Sequence, residues 1–224
     1  MADREYDGLL LDHDGVVVTI ESESTLRDAA RAAFADVGVS EPRPEDVDTV
    51  SIDVSIAALN AVADRYGVAP GRLWRRREDR IEASLRAAVE SGRKTPYDDV
   101  SRLEVVDVPL GVASNNQARI VEFVLRSHGL REHFETVRAR PPTVESLRRK
   151  KPEPTYLEAA ATDLGCENPL YVGDSESDVV AGRRAGIDTV FLRRSHNAAR
   201  RLDAEPTAEV GGLGEVVRML RRSD

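Results

Sequence analysis

The sequence predicts an α/β fold: a doubly wound parallel sheet, interrupted after its first strand by an all-helical insertion. The stretch Leu9–Leu11 is uniformly apolar, as in a strand that helices cover on both faces, and it ends at Asp12. From Pro96 onward, short apolar strands alternate with helical segments, which is the pattern of βαβ units. Between these regions the apolar residues recur every three or four positions, and no comparable strand signal occurs.

The insertion contains three predicted helices. Their expected bounds are about 26–37, 56–66 and 73–89, and they end at Gly38, Gly67 and near Gly92. The Pro-containing segment 41–44 is expected to be a loop. The third helix carries an arginine-rich stretch interleaved with acidic residues, which favours a solvated face over contact with an anionic substrate. These arginines are Arg72, Arg75, Arg76, Arg77 and Arg80.

The second half of the chain supplies the remaining strands and helices. Strands are expected within 105–113, weakly near 134–137, at 170–172 and at 189–192. Helices are expected over 118–127, 156–164, 179–185 and 213–220. We therefore assign residues 1–16 and 96–224 to a Rossmann-like core, and residues 17–95 to a helical domain inserted into it.

Composition excludes several classes of function. The chain has 224 residues, a formal net charge of −8 and one cysteine, Cys166. The negative charge argues against a general nucleic-acid surface, and one thiol rules out an internal disulfide and a zinc site built on several thiolates. The charged amino terminus carries no long apolar stretch, so we expect a cytoplasmic protein without membrane partners. Monomer and homodimer both remain open.

The basic residues are almost all arginine. Of 32 Lys and Arg residues only Lys94, Lys150 and Lys151 are lysine, against 40 acidic residues. Such an acid-rich, lysine-poor chain resembles proteins of salt-accumulating archaea, whose carboxylates stay hydrated in concentrated salt. High-GC coding, which replaces lysine by arginine, is the alternative explanation.

Chemistry-bearing side chains follow several predicted strands. They are Asp12 and Asp14, Ser114, Lys151 at the head of a helix, and Asp174 with Asp178. Because parallel strands end at one edge of a sheet, these groups are expected to meet there. Clustered carboxylates favour a hard cation such as Mg²⁺, and a hydroxyl with an ammonium group suits a phosphoryl group. The set predicts a carboxylate nucleophile that becomes an aspartyl-phosphate. Taken singly, Asp174 and Asp178 are also typical of turns and helix caps.

Four segments resemble, in order, the four motifs of the haloacid dehalogenase superfamily. These are 12–16 (DHDGV), 114–115 (SN), 151–154 (KPEP) and 173–178 (GDSESD). The helical insertion after the first motif resembles the α-helical cap of the phosphoglycolate phosphatase and β-phosphoglucomutase branch. The resemblance therefore implies a catalytic core with a cap domain.

The resemblance also implies a role for each motif residue. Asp12 is the expected nucleophile and a metal ligand, and Asp14 the expected general acid and base, whose backbone carbonyl also reaches the metal. An alcohol leaving group needs a proton and a halide does not, so Asp14 favours phosphoryl transfer over dehalogenation. His13 departs from the small apolar residue usual between the two aspartates. Its side chain is expected to point away from the nucleophile, and we assign it no catalytic role.

The later motifs are expected to bind the phosphoryl group and the metal. Ser114 and Asn115 bind phosphoryl oxygens, and Lys151 offsets their charge, with the adjacent Lys150 as the less favoured candidate. Asp174 completes the metal site. Asp178 binds the metal directly or orients its waters. His128 and His133 straddle Gly129 and are expected to be surface or core residues rather than ligands.

These features predict a Mg²⁺-dependent phosphatase that hydrolyses a small phosphorylated metabolite, resembling phosphoglycolate, through an aspartyl-phosphate. A phosphomutase of the β-phosphoglucomutase type shares the same core residues and is the first alternative. A phospho-accepting signalling domain is the second, although Lys151 precedes the Asp174 cluster and the insertion interrupts the core. A catalytically inactive binding protein is the third, and the presence of all the motif residues argues against it.

Overall fold

The computed structural model describes residues 6–220, which divide into two compact units. The first runs to Thr19 and takes in Thr95–Ala139 and the chain from Lys150 onward. The second comprises Ile20–Lys94 and Arg140–Arg149. The sequence-based division, with the insertion over 17–95, places segment 140–149 in the core. In the structure this segment groups with the helices, because the buried Arg140 donates to Glu78 Oε2 at 2.7 Å.

A six-stranded sheet forms the centre of the first unit, which confirms the α/β prediction. The strands are β1 (Gly8–Leu11), β2 (Leu110–Gln117), β3 (Thr136–Arg140), β4 (Pro169–Gly173), β5 (Asp188–Leu192) and β6 (Ala208–Val210). Their spatial order is β3-β2-β1-β4-β5-β6. Parallel pairing joins β2 to β1, β1 to β4, β4 to β5 and β5 to β6. All four residues of β1 are buried, as its unbroken apolar run predicts.

The strand order reverses at β1, which lies between β2 and β4. Leu11 pairs with Val112 on one side and Val172 on the other, so β1 and β4 end at nearly the same level, while β2 continues to Gln117. In open α/β sheets ligands bind outside the carboxyl ends of the strands at such a reversal. Asp12 and Asp174 directly follow β1 and β4 at this level, and Ser114 lies within β2, two residues after Val112.

Helices α5 to α8 belong to the first unit, and two of its elements differ from the sequence-based expectation. The four helices of the first unit are α5 (Ala118–Ser127), α6 (Thr155–Leu164), α7 (Glu176–Ala185) and α8 (Leu213–Leu220). Helices α1 to α4 belong to the second unit and are described below. The strand expected within 105–113 is β2, which begins at Leu110 and extends to Gln117, so Ser114 and Asn115 lie within the strand and not after it. The three-residue β6 is too short to give a periodic signal.

The second unit contains helices α1 (Glu23–Asp36), α2 (Pro44–Ser51), α3 (Ile56–Arg65) and α4 (Pro70–Glu90). Sequence periodicity did not predict α2, whose inward face consists largely of Val47 and Val50. The core of this unit includes Phe34, Leu59 and Trp74.

The expectation of a solvated arginine face on α4 is wrong for one of its members. Arg77 is buried and donates from Nε to the carbonyl of Val50 at 3.0 Å and from Nη1 to Glu78 Oε1 at 2.6 Å. The other four arginines are exposed. None of the helices within residues 6–220 is long and apolar enough to cross a membrane.

Candidate active site

Three carboxylates converge where β1 and β4 end. Asp12 directly follows β1, Asp174 directly follows β4, and Asp178 lies in the first turn of α7. One oxygen from each falls within 4.8 Å of the others, and all three residues are buried. Asp12 and Asp174 are far apart in sequence but close in space, because β1 and β4 are paired in parallel. The motif spacing predicts this proximity.

Lys151 is the cation that faces this cluster. Its Nζ lies 2.9 Å from Asp12 Oδ1 and 2.6 Å from Asp178 Oδ1. The same ammonium donates to the hydroxyl of Tyr171 at 2.9 Å and to the carbonyl of Ala113 at 3.2 Å. Lys151 is 3% exposed, so its charge acts on the two carboxylates with little screening by water.

Asn115 holds the main chain of Lys151 in place. Its Oδ1 accepts from the Lys151 backbone N at 2.6 Å, and its Nδ2 donates to the Lys151 carbonyl at 3.1 Å. Asn115 is expected to bind a phosphoryl group; the contacts observed here instead join the second motif to the third. Lys150, the less favoured candidate, is only partly buried, and the contacts to Asp12 and Asp178 are made by Lys151.

Burial and charge act on the pKa values of these groups in opposite directions. Burial, reinforced by the neighbouring carboxylates, raises the pKa of Asp12 well above its usual range, and burial is also the main cause of the raised pKa of Asp174. Burial alone would lower the pKa of Lys151, but Asp12 and Asp178 more than reverse this, and the pKa is raised. Lys151 therefore stays protonated. Asp12 and Asp174, by contrast, have too little positive charge around them to offset the effect of burial on their pKa values.

Asp178 already accepts hydrogen bonds on both of its oxygens. Oδ1 accepts from the Tyr171 hydroxyl at 2.6 Å in addition to its pairing with Lys151. Oδ2 accepts from the backbone N of Asp174 and of Ser175 at 3.2 and 3.0 Å, and from Ser175 Oγ. Burial raises the pKa of Asp178, but these partners, Lys151 foremost, outweigh it and the pKa is lowered. The side chain is both a cap of α7 and the anchor of Lys151.

Asp14 lies apart from the three-carboxylate cluster and is partly exposed. Its Oδ2 accepts from Asn116 Nδ2 at 2.8 Å, and His13 Nδ1 lies 3.2 Å from the same oxygen. The buried His13 thus packs beside Asp14, while its backbone N donates to Asp12 Oδ1 at 2.8 Å. Ser114 is buried within β2, and its Oγ accepts from the Asn116 backbone N at 3.1 Å.

Gly15 allows Asp174 to approach the first motif. A Cβ built on Gly15 would lie 2.0 Å from Asp174 Oδ2, and the φ angle of Gly15 is +84°. Both the close approach and the positive φ require glycine at this position. The fourth residue of the first motif is therefore needed for the geometry of the fourth motif.

Comparison with known proteins identifies the family of the chain. The sequence model of the family described as haloacid dehalogenase-like hydrolase matches residues 9–192. The chain belongs to this family. It is 27% identical to the phosphoglycolate phosphatase of Chromobacterium violaceum over 227 residues, covering 97% of this chain and 98% of that protein.

Two further proteins are similar to this chain, one in sequence and one in structure. The pyrophosphatase PpaX of Bacillus velezensis is 28% identical over 113 residues, and the match spans only half of each protein, 50% of both. The crystal structure of CbbY from Rhodobacter sphaeroides, in complex with phosphate, superposes with a TM-score of 0.69 at 18% identity, covering 96% of this chain and 99% of that one. At this identity the likeness shows the shared fold.

The donor set fits the divalent metal that this hydrolase family implies. Three buried carboxylates opposed by one ammonium leave two negative charges uncompensated when all are ionised. Burial, which is the main cause of the raised pKa values of Asp12 and Asp174, adds to the cost of keeping these carboxylates ionised without a cation. Since the available ligand atoms are carboxylate oxygens, the site suits a hard, oxygen-preferring cation.

Three residues that contact the site were not found from the sequence. Tyr171 lies inside β4 and reads as a core aromatic, and Asn116 follows the second motif without being part of it. His196, whose Nε2 lies 2.6 Å from Asp174 Oδ2, stands 22 positions after its partner and outside every motif. His196 lies in the connection between β5 and β6, and its contact with Asp174 is visible only in the structure, where this connection lies next to the end of β4.

Proposed function

We propose that this protein is a Mg²⁺-dependent phosphatase that hydrolyses the phosphate monoester of a small metabolite through a phosphorylated Asp12. The observation that carries the proposal is the buried Lys151 ammonium, 2.9 Å from Asp12 Oδ1, beside two further carboxylates. A carboxylate nucleophile needs nearby positive charge both to remain ionised and to approach an anionic phosphoryl group. Bound Mg²⁺ supplies further positive charge for the phosphoryl oxygens and for the ligand carboxylates.

In the first step an oxygen of Asp12 attacks the phosphorus atom. The bond from phosphorus to the ester oxygen breaks, and Asp14 transfers its proton to the departing alkoxide oxygen. Lys151 holds Asp12 in position, and the hydroxyl of Ser114, in the adjacent β2, donates to a phosphoryl oxygen. Lys151 keeps its charge throughout, because its pKa is raised.

In the second step Asp14 acts as the base. It removes a proton from a water molecule, whose oxygen attacks the phosphorus atom of the phosphorylated Asp12. The bond between phosphorus and the Asp12 oxygen breaks, which releases inorganic phosphate and restores the carboxylate. His13 and Asn116, both in contact with Asp14 Oδ2, keep the carboxylate in one orientation for the two proton transfers.

The roles of the remaining carboxylates follow from their hydrogen bonds. Asp12 and Asp174, with the backbone carbonyl of Asp14, are the proposed direct ligands of Mg²⁺. The oxygens of Asp178 are taken by Lys151, Tyr171 and the capping groups of α7, so its proposed role is to hold Lys151 and to orient metal-bound water.

The helical unit is the proposed cap domain and the source of substrate selectivity. The site residues named above bind a phosphoryl group and do not distinguish what is attached to it. Relatives named phosphoglycolate phosphatase and pyrophosphatase PpaX support small phosphorylated compounds as the substrate class. A phosphoglycolate-like monoester is our first candidate.

A panel of phosphorylated metabolites, including phosphoglycolate, sugar phosphates and pyrophosphate, tests the proposal. We expect Mg²⁺-dependent release of inorganic phosphate that EDTA abolishes. Asp12→Asn should lower turnover by at least about 10³-fold, because an amide does not attack phosphorus. The exposed Asp107→Asn is the matched control and should retain wild-type turnover. Wild-type turnover in Asp12→Asn would refute the mechanism, and sugar-phosphate isomerisation that requires a bisphosphate would favour the phosphomutase.

A further inference from the structure

The turn after β5 is bound tightly to the main chain of Asp174. Asn197, which is 2% exposed, donates from Nδ2 to the carbonyl of Asp174 at 2.8 Å and to the carbonyl of Leu192 at 3.0 Å. Its Oδ1 accepts from the backbone N of Arg194 at 2.8 Å. One buried amide therefore closes the turn 194–197 and joins it to the end of β4.

The same turn brings His196 to the side chain of Asp174. His196 Nε2 lies 2.6 Å from Asp174 Oδ2, within hydrogen-bonding distance. On another side of this oxygen lies Gly15, where a Cβ would approach to 2.0 Å. Oδ2 of Asp174 is thus confined between the backbone of the first motif and the imidazole of His196.

The other ring nitrogen of His196 faces Tyr97. The Tyr97 hydroxyl lies 3.4 Å from Nδ1, and burial raises the pKa of Tyr97, so the hydroxyl keeps its proton. A hydroxyl that donates to Nδ1 leaves the N–H on Nε2, where it donates to Asp174. Tyr97 itself packs against Arg194, whose guanidinium carbon lies 4.0 Å from the centroid of the Tyr97 ring. Arg194 Nη2 in turn pairs with Asp99 Oδ1 at 2.8 Å.

We propose that His196 is a positioning residue of the metal site, which holds Asp174 in the orientation that binds the cation. The proposal rests on the proposed function in one respect, since it takes Asp174 as a metal ligand. A carboxylate whose one oxygen is held by an N–H group loses little further freedom when the cation binds. Loss of such a partner lowers metal affinity by about 10- to 100-fold in known sites.

Metal binding, measured without turnover, tests this role. The full-length, metal-stripped protein is titrated with Mg²⁺ by calorimetry and with Mn²⁺ by electron paramagnetic resonance. We expect His196→Ala to raise the Kd for both ions by about 10-fold or more. His196→Gln, whose amide can donate to Asp174, should recover much of this loss, and Tyr97→Phe should have a smaller effect of the same sign. The exposed His133→Gln is the matched control and should leave both Kd values unchanged.

The outcomes separate this inference from the phosphatase proposal. The positioning role is overturned if His196→Ala has Kd values within about twofold of wild type and an unchanged circular dichroism spectrum. It is also overturned if the wild-type protein binds neither ion. If the wild type binds Mg²⁺ and the loss and recovery occur as expected, the inference stands even when no phosphorylated compound is hydrolysed. In that case only the proposed function fails.

Discussion

Replacing Lys151 by methionine tests the charge balance on which the site depends. The substitution keeps an unbranched apolar stem but removes an ammonium group that lies 2.9 and 2.6 Å from two buried carboxylates. It also removes a donor to the Tyr171 hydroxyl and to the Ala113 carbonyl. The protein then has to keep Asp12 and Asp178 charged without their partner, or to protonate them.

Breaking a buried ion pair by removing one partner costs about 3–5 kcal/mol of unfolding free energy. For a chain of this size 1 kcal/mol corresponds to ~2–4 °C in the melting temperature. We therefore expect Lys151→Met to lower the melting temperature by about 6–20 °C at neutral pH in EDTA. Turnover on any substrate found should fall by at least about 10²-fold.

Differential scanning calorimetry of four variants completes this experiment: Lys151→Met, Lys150→Met, Asp178→Asn and the double variant Lys151→Met/Asp178→Asn. Lys150→Met changes the neighbouring, partly buried lysine and should shift the melting temperature by less than about 2 °C. In the double variant Lys151→Met/Asp178→Asn the unpaired charge is also removed, so the destabilisation should be smaller than the sum of the single effects by about 1–3 kcal/mol. Equal melting temperatures for Lys151→Met and Lys150→Met would refute the reasoning.

Three further predictions concern the metal and the solvent. Gly15→Ala should abolish detectable Mg²⁺ binding in calorimetry and lower stability by about 1–3 kcal/mol, because its Cβ would meet Asp174 Oδ2; Gly38→Ala, at φ +92° with nothing within 4 Å, controls for the backbone strain alone. Because the pKa values of Asp12 and Asp174 are raised in the metal-free folded state, these two groups contribute stability that is lost as pH rises above about 4. Mg²⁺ offsets that loss, and the rise in melting temperature that it causes should be larger at about pH 7.5 than at about pH 5, whereas a shift independent of pH would contradict the assignment. Finally, the net charge of −8 and the scarcity of lysine predict a melting temperature that rises with added KCl, and an unchanged or falling value would favour the coding explanation.

Much of the fold could be predicted because periodicity reports burial. The continuous apolar run of β1 marks a strand covered on both faces, and it is fully buried. The long helix α4 was visible from its spacing of apolar residues. By contrast, α2 presents too little apolar surface to stand out, and the grouping of segment 140–149 with the helices depends on a pairing between Arg140 and Glu78, which are 62 positions apart.

The candidate site shows the same division between local and distant information. The motif spacings placed Asp12, Asp174 and Asp178 in one prediction, and the structure brings their oxygens together. The choice of Lys151 over Lys150 was made from the following proline, and the contacts observed are those of Lys151. The catalytic and metal-binding roles of these residues stay predictions until the variants are measured.

By itself the sequence determined the fold class, the family and the residues near the ends of β1, β2 and β4, because strand burial and parallel register follow from local pattern and topology. Only the tertiary structure decided how those residues are held: that Lys151 joins Asp12 to Asp178, that Oδ2 of Asp14 faces both His13 and Asn116, and that His196 reaches Asp174. The physical reason is that hydrogen bonds and ion pairs depend on distances of about 3 Å between atoms, and chain positions far apart in sequence carry no record of such distances.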